Sequence, residues 1–185
     1  MKGGWKLHAG AAALLSACAV TAPGGEPLAA GSARSAASAD LRDRAGRTVA
    51  QASATQLGDS VRLQIQAVAL PPGSYGAHIH AVGRCDPADF TSAGPHWNPT
   101  GQQHGKNNPQ GMHKGDLPNL MVGADRRGSF EITVPAASIS DGSTPLLDAD
   151  GAALVVHERA DDYRTDPSGN SGARIACGVF GAAGN

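Results

Sequence analysis

Apolar and polar positions alternate in two neighbouring runs early in the chain, residues 48–55 and 61–66, separated by Leu57-Gly58-Asp59-Ser60. In the second run Val61, Leu63 and Ile65 alternate with Arg62, Gln64 and Gln66. A period of two sends the apolar side chains to one face of a strand, and two such runs around a short Gly-Asp turn predict a β-hairpin. Pro71-Pro72-Gly73 breaks the pattern. Strands are next predicted around His78-Ile79-His80 and over residues 129–134, 152–157 and 174–180. No helical period separates them, and short strands with frequent turns predict a sandwich or barrel. Two segments, 86–122 and 160–173, lack any such rhythm. Irregular stretches of that length in a compact domain are functional or disordered.

Composition agrees with an all-β reading: 25 glycines, 12 prolines and only 4% aromatic residues suit strands joined by turns. A formal net charge of -1 points neither to nucleic acid nor to an anionic membrane surface. The amino-terminal segment is a different matter. Lys2 and Lys6 precede a short apolar stretch that ends in Leu15-Ser16-Ala17-Cys18, which reads as a secretory leader over residues 1–17. That stretch falls short of the ~20 apolar residues needed to span a bilayer. Leu-Ser-Ala-Cys resembles the bacterial lipobox, which implies lipidation of Cys18 and anchorage to a membrane. Residues 18–40, rich in Ala, Gly, Pro and Ser, are expected to be a flexible tether, and residues 41–185 the folded domain. Removing the leader changes the net charge to -3 and leaves Cys85 and Cys177, which in an oxidising compartment read as one disulfide.

Histidine distribution carries the chemistry. Once His8 leaves with the leader, five of the remaining six histidines fall between His78 and His113, and the sixth is His157. His78 and His80 project from one face of a strand while Ile79 points to the other, a natural bidentate metal platform. The segment 95–119 adds His96, His104, His113 and Asp116, three imidazoles and a carboxylate, which make a closed tetrahedral zinc set. His157, at the end of an apolar strand, can complete the set begun by His78 and His80; an all-imidazole site suits copper. Seven ligands exceed the needs of one metal, so two metals sharing one histidine is the economical arrangement.

The segments GAHIHAVGRCDP, HWNPTGQQHG, HKGDLPN, VVHERADD and GNSGARIACGVFG resemble, in order, the signature segments of the copper/zinc superoxide dismutases, in particular their secreted bacterial members. The resemblance runs from about residue 48 to residue 181. It implies an eight-stranded Greek-key β-barrel or sandwich with two long functional loops, one copper and one zinc per subunit, and the disproportionation of superoxide to dioxygen and hydrogen peroxide. Copper is expected on His78, His80, His96 and His157, and zinc on His96, His104, His113 and Asp116, with His96 as bridge and proton carrier. Arg174 is expected beside the copper to bind the anionic substrate, Asp161 to link His78 and His104, and Cys85 to pair with Cys177. Lys106, Lys114 and Arg164 are candidates for substrate steering or plain solvated loop residues. Trp97 departs from the family, where a smaller aromatic is usual after the bridging histidine. The implied setting is the periplasmic face of the cell envelope, with an outer-membrane lipid anchor at Cys18, as a monomer or homodimer. A copper-carrying module on the same barrel is the rival, as is a zinc hydrolase, which needs an open zinc position and a general base.

Overall fold

The computed structural model describes Met1, residues 36–143 and residues 145–182; the expected leader, Cys18 and most of the expected tether lie outside these residues. Ten strands follow in chain order: β1 Ala36–Asp43, β2 Thr48–Leu57, β3 Ser60–Ala67, β4 Gly73–Tyr75, β5 Ala77–His80, β6 Leu120–Val122, β7 Gly128–Val134, β8 Ala153–His157, β9 Arg174–Val179 and β10 Gly181–Ala182. Among the described residues there is no α-helix, only the 3-10 turn Thr91–Ala93.

The order β5-β8-β9-β1-β2-β3-β7 forms one antiparallel sheet, with β10 alongside β1. Its two ends, β5 and β7, are joined through the small β4–β6 ladder. Only Gly76 separates β4 from β5, and a turn in which Gly123 donates to the Arg127 carbonyl leads from β6 to β7. The ring therefore closes. With β4–β5 and β9–β10 each counted as one interrupted strand, the barrel has the eight strands expected. The crossings from β3 to β4 and from β7 to β8 are the Greek-key connections.

Two readings of the sequence are corrected. The first strand begins at Ala36, inside the segment expected to be tether, because Ala37, Ala39 and Leu41 are buried and alternate with Ser38, Asp40 and Arg42. The period was there, but alanine gives it little amplitude. The long irregular segment also ends earlier, at β6, where Leu120 and Val122 are buried and Met121 is exposed.

Leu41, Leu63, Ile65, Ile79, Leu120 and Leu154 lie at the centre of the main core. A second cluster, Phe90, Ala93, Ala153, Val155 and Cys177, packs on the opposite face of β8. It lies under the first part of the long loop, which thus has apolar anchorage of its own. Trp97 packs into the main core, so the larger ring is absorbed by packing. Cys85 and Cys177 form a disulfide with Cα atoms 5.7 Å apart, tying this loop to β9.

Candidate metal centre

The site is assembled on strand β5. One edge of β5 pairs with β8, setting His78 opposite Val155 and His80 opposite Ala153. Its other edge receives the long loop: the Ile79 N–H donates to the Gly115 carbonyl at 2.9 Å, and the Ile79 carbonyl accepts from the Trp97 N–H at 2.8 Å. These bonds set His96 opposite His80 and Asp116 opposite His78. Gly115 is required at this close approach, because a β-carbon there would stand 2.4 Å from the Ile79 oxygen. His157 arrives from β8, where a register shift between Val156 and His157 places it opposite Arg174.

All of the expected ligands come together, and all are buried, with His96 and His113 the most exposed at 7%. One donor atom each from His78, His80, His96 and His157 lies within 4.8 Å of the others, and the same holds for His96, His104, His113 and Asp116. His96 is common to both groups.

Hydrogen bonds show which ring nitrogens face inward. His78 Nε2 bonds Asp161 Oδ2 at 2.9 Å, His80 Nδ1 bonds the Gly94 carbonyl at 2.8 Å, and His157 Nδ1 bonds the Gly172 carbonyl at 3.2 Å. Each acceptor holds a proton on the outward nitrogen and leaves a lone pair on the other. The inward atoms, His78 Nδ1, His80 Nε2, His96 Nε2 and His157 Nε2, are buried and have no hydrogen-bond partner among the described residues. Converging, partnerless imidazole nitrogens are costly unless they bind a metal. The donor set therefore fits copper.

In the second group the Nδ1 atoms of His96, His104 and His113 lie 2.9, 3.0 and 3.1 Å from Asp116 Oδ1. Asp116 Oδ2 accepts from the backbone N–H groups of Gly105 at 2.8 Å and His113 at 3.0 Å. Three nitrogens around one oriented carboxylate fit zinc.

Electrostatics follow burial and pairing. Burial, reinforced by the positive charge that neighbouring imidazoles would carry, lowers His96 to about 4 and His157 to about 3, and pushes His80 well below its ordinary value. Burial also outweighs the Asp161 hydrogen bond and lowers His78. For His104 burial acts downward too, but hydrogen bonds to Asp116 and Asp161 prevail and raise it to about 9. Burial opposes ionisation of both carboxylates, yet bonds from His104, His113 and His96 hold Asp116 far below the usual range, and bonds from His104 and His78 do the same for Asp161.

Asp161 spans the two groups, as expected, with His104 Nε2 on its other oxygen at 3.0 Å. The half-buried Arg174 bonds the Phe90 carbonyl at 2.7 Å through Nη1 and the Gly94 carbonyl at 2.8 Å through Nη2. A cavity of about 830 Å³ is lined by His80, His96, His157 and Arg174, and Arg174 is the only Lys or Arg among its described lining residues. Lys106 instead stands 4.1 Å above the Tyr163 ring, and Lys114 donates to the Pro135 carbonyl at 2.8 Å. With Arg164 they lie off the cavity wall. The carbonyl of Gly94 escaped the sequence reading, because a backbone acceptor leaves no trace in residue type.

A closed β-barrel bearing an all-imidazole set beside a three-histidine, one-aspartate set defines a dinuclear copper/zinc protein. Residues 48–180 match the family described as copper/zinc superoxide dismutase, and the chain belongs to that family. It is 48% identical over 143 residues to the superoxide dismutase-like protein YojM of Bacillus subtilis, covering 76% of this chain and 73% of the relative. Identity to superoxide dismutase [Cu-Zn] 1 of Aquifex aeolicus is 41% over 145 residues, covering 76% of this chain and 85% of the relative. The crystal structure of a SOD-like protein from Bacillus subtilis superposes with a TM-score of 0.72 at 43% identity, covering 77% of this chain and 96% of that one. The chain is a superoxide dismutase that uses copper and zinc, and its substrate is superoxide.

Proposed function

We propose that copper is held by His78, His80, His96 and His157, that zinc is held by His96, His104, His113 and Asp116, and that His96 bridges the two. The observation that carries this reading is the set of four inward, partnerless imidazole nitrogens, one of which belongs to a histidine whose other nitrogen faces Asp116. Copper bound there supplies one-electron exchange. The chain's own residues supply the rest. Arg174 presents a permanently charged fork at the cavity wall, drawing in and orienting a small anion without titrating. His96 Nε2 is the atom that takes up and delivers a proton as two superoxide ions and two protons become dioxygen and hydrogen peroxide. Burial of the imidazoles keeps bulk water from competing for the inward lone pairs.

The test is to load the purified domain with both metals and follow superoxide decay. One copper and one zinc per chain are expected, with activity lost in His80→Ala and His157→Ala; a fully loaded protein without activity would sink the assignment. The same reading has the protein exported, anchored through Cys18 at the outer membrane, and protecting the cell envelope from superoxide. Its support is the Leu-Ser-Ala-Cys segment together with a disulfide suited to an oxidising compartment. Labelled palmitate should enter the native chain and not Cys18→Ser; label persisting in the variant would refute the anchor.

A further inference from the structure

Asp161 links a copper-side and a zinc-side histidine, so whatever fixes Asp161 governs both. Three hydrogen-bonded links around it form a closed ring. The side chain of Asn119 grips the Asp161 backbone twice, accepting from its N–H at 2.8 Å and donating to its carbonyl at 3.0 Å. The Asn119 backbone N–H donates to the Tyr163 phenol oxygen at 2.7 Å. The Tyr163 backbone N–H donates to Asp161 Oδ1 at 2.6 Å, the same oxygen that meets His104 Nε2. Tyr163 takes φ 61°, a left-handed conformation that residues with a β-carbon rarely adopt. Its carbonyl then accepts from the Asn107 N–H at 2.9 Å, and its ring lies under the Lys106 ammonium, three and two residues from His104.

We infer that Asn119 and Tyr163 are positioning residues, which lock the Asp161 carboxylate in the one orientation that serves His78 and His104 together. The inference rests on those two histidines being metal ligands. Each link has a separate task. Asn119 fixes where the Asp161 backbone stands, the Tyr163 N–H fixes the turn of its carboxylate, and the phenol oxygen fastens the two to each other. A carboxylate free to rotate would lose the N–H of one histidine, and that ring would no longer be held with its lone pair inward. Partners of this kind, outside the ligand shell, typically change metal affinity by about 10- to 100-fold.

The experiment compares native protein, Tyr163→Phe, Asn119→Ala and the double variant, each loaded with copper and zinc. Zinc release to a chromophoric chelator and the Cu(II) EPR spectrum are recorded beside thermal melting. Tyr163→Phe keeps the ring under Lys106 and removes only the acceptor for the Asn119 N–H. It should release zinc on the order of tenfold faster and shift the EPR signature. Asn119→Ala should do more, and the double variant no more than Asn119→Ala, because the ring is already open. A fall in melting temperature with native zinc release and native EPR would overturn the inference, as would strictly additive effects. If Asn119→Ala does not fold, Tyr163→Phe decides alone. A native chain that takes up neither metal would overturn the ligand assignment and this inference with it.

Discussion

Acidifying the metal-free protein from pH 7 to pH 4.5 should cost it at least about 4 kcal/mol of stability. His96 and His157 are held at about 4 and about 3 in the folded chain, against 6.5 ordinarily. Below pH 6.5 the unfolded chain therefore binds protons at these positions that the folded chain refuses, and stability falls as pH drops towards 4 and 3. At pH 4.5 each histidine accounts for a loss of about 2.5 kcal/mol relative to pH 7. His80 and His78 are shifted in the same direction and add to the loss. His104 acts oppositely: raised to about 9, its contribution is complete below 6.5 and is lost only as pH rises through 9. Across this window it returns about 1 kcal/mol. Asp116 and Asp161, both depressed, stabilise above the ordinary carboxylate value of 3.8, and their contribution is barely touched at pH 4.5. Small domains have about 5–15 kcal/mol in all, so the loss is a large share of it. Urea unfolding of the metal-free protein at pH 7, 5.5 and 4.5 measures it, and His157→Gln should remove about 2.5 kcal/mol of the pH dependence. Equal or greater stability at pH 4.5 would refute the claim that the inward imidazoles are neutral and unpaired.

Gly169→Ala should abolish tight zinc binding in equilibrium dialysis, because the new β-carbon would stand 1.7 Å from Asp161 Oδ1 and 2.8 Å from His104 Nε2 at φ +63°. Arg174→Ala should lower kcat/KM and flatten its dependence on ionic strength in stopped-flow superoxide decay, with metal content unchanged. Arg174→Lys should keep the ionic-strength dependence yet recover only part of the rate, since an ammonium lacks the fork that spans the Phe90 and Gly94 carbonyls. Cys177→Ser opens a closure between residues 92 apart in sequence, which on the chain-entropy relation lowers unfolding free energy by about 4–5 kcal/mol in a urea titration.

The proposed ligands were legible because imidazole and carboxylate chemistry is written in residue type, and because residues two apart in a strand must share a face. Strands β2, β3 and β7 were legible from their alternation, and β8 and β9 from their short apolar runs. Strand β1 was hidden by alanines at Ala37 and Ala39, which bury little surface each, and β6 by its brevity. Strand order was beyond any local pattern. The two Greek-key crossings join strands whose pairing depends on which edges remain free after the hairpins form. The ring through Asn119 and Tyr163 was also hidden, since it needs residues 44 apart to meet through a backbone N–H and a phenol.

The carbonyl of Gly94 ties the proposed metal-holding and anion-binding parts of the cavity together. It accepts from His80 Nδ1, which turns the other nitrogen of that ring inward, and from Arg174 Nη2, which aims the guanidinium. The proposed ligand geometry and the proposed substrate-binding charge are thus referred to one atom. That atom lies in the loop between Cys85 and His96, which Phe90 and Ala93 press onto β8 and which the disulfide fastens to β9, three residues beyond Arg174. A shift of this loop would disturb both hydrogen bonds at once. The disulfide therefore does more than shorten the unfolded chain. It keeps the strand that carries Arg174 in register with the loop that orients the inward imidazole of His80.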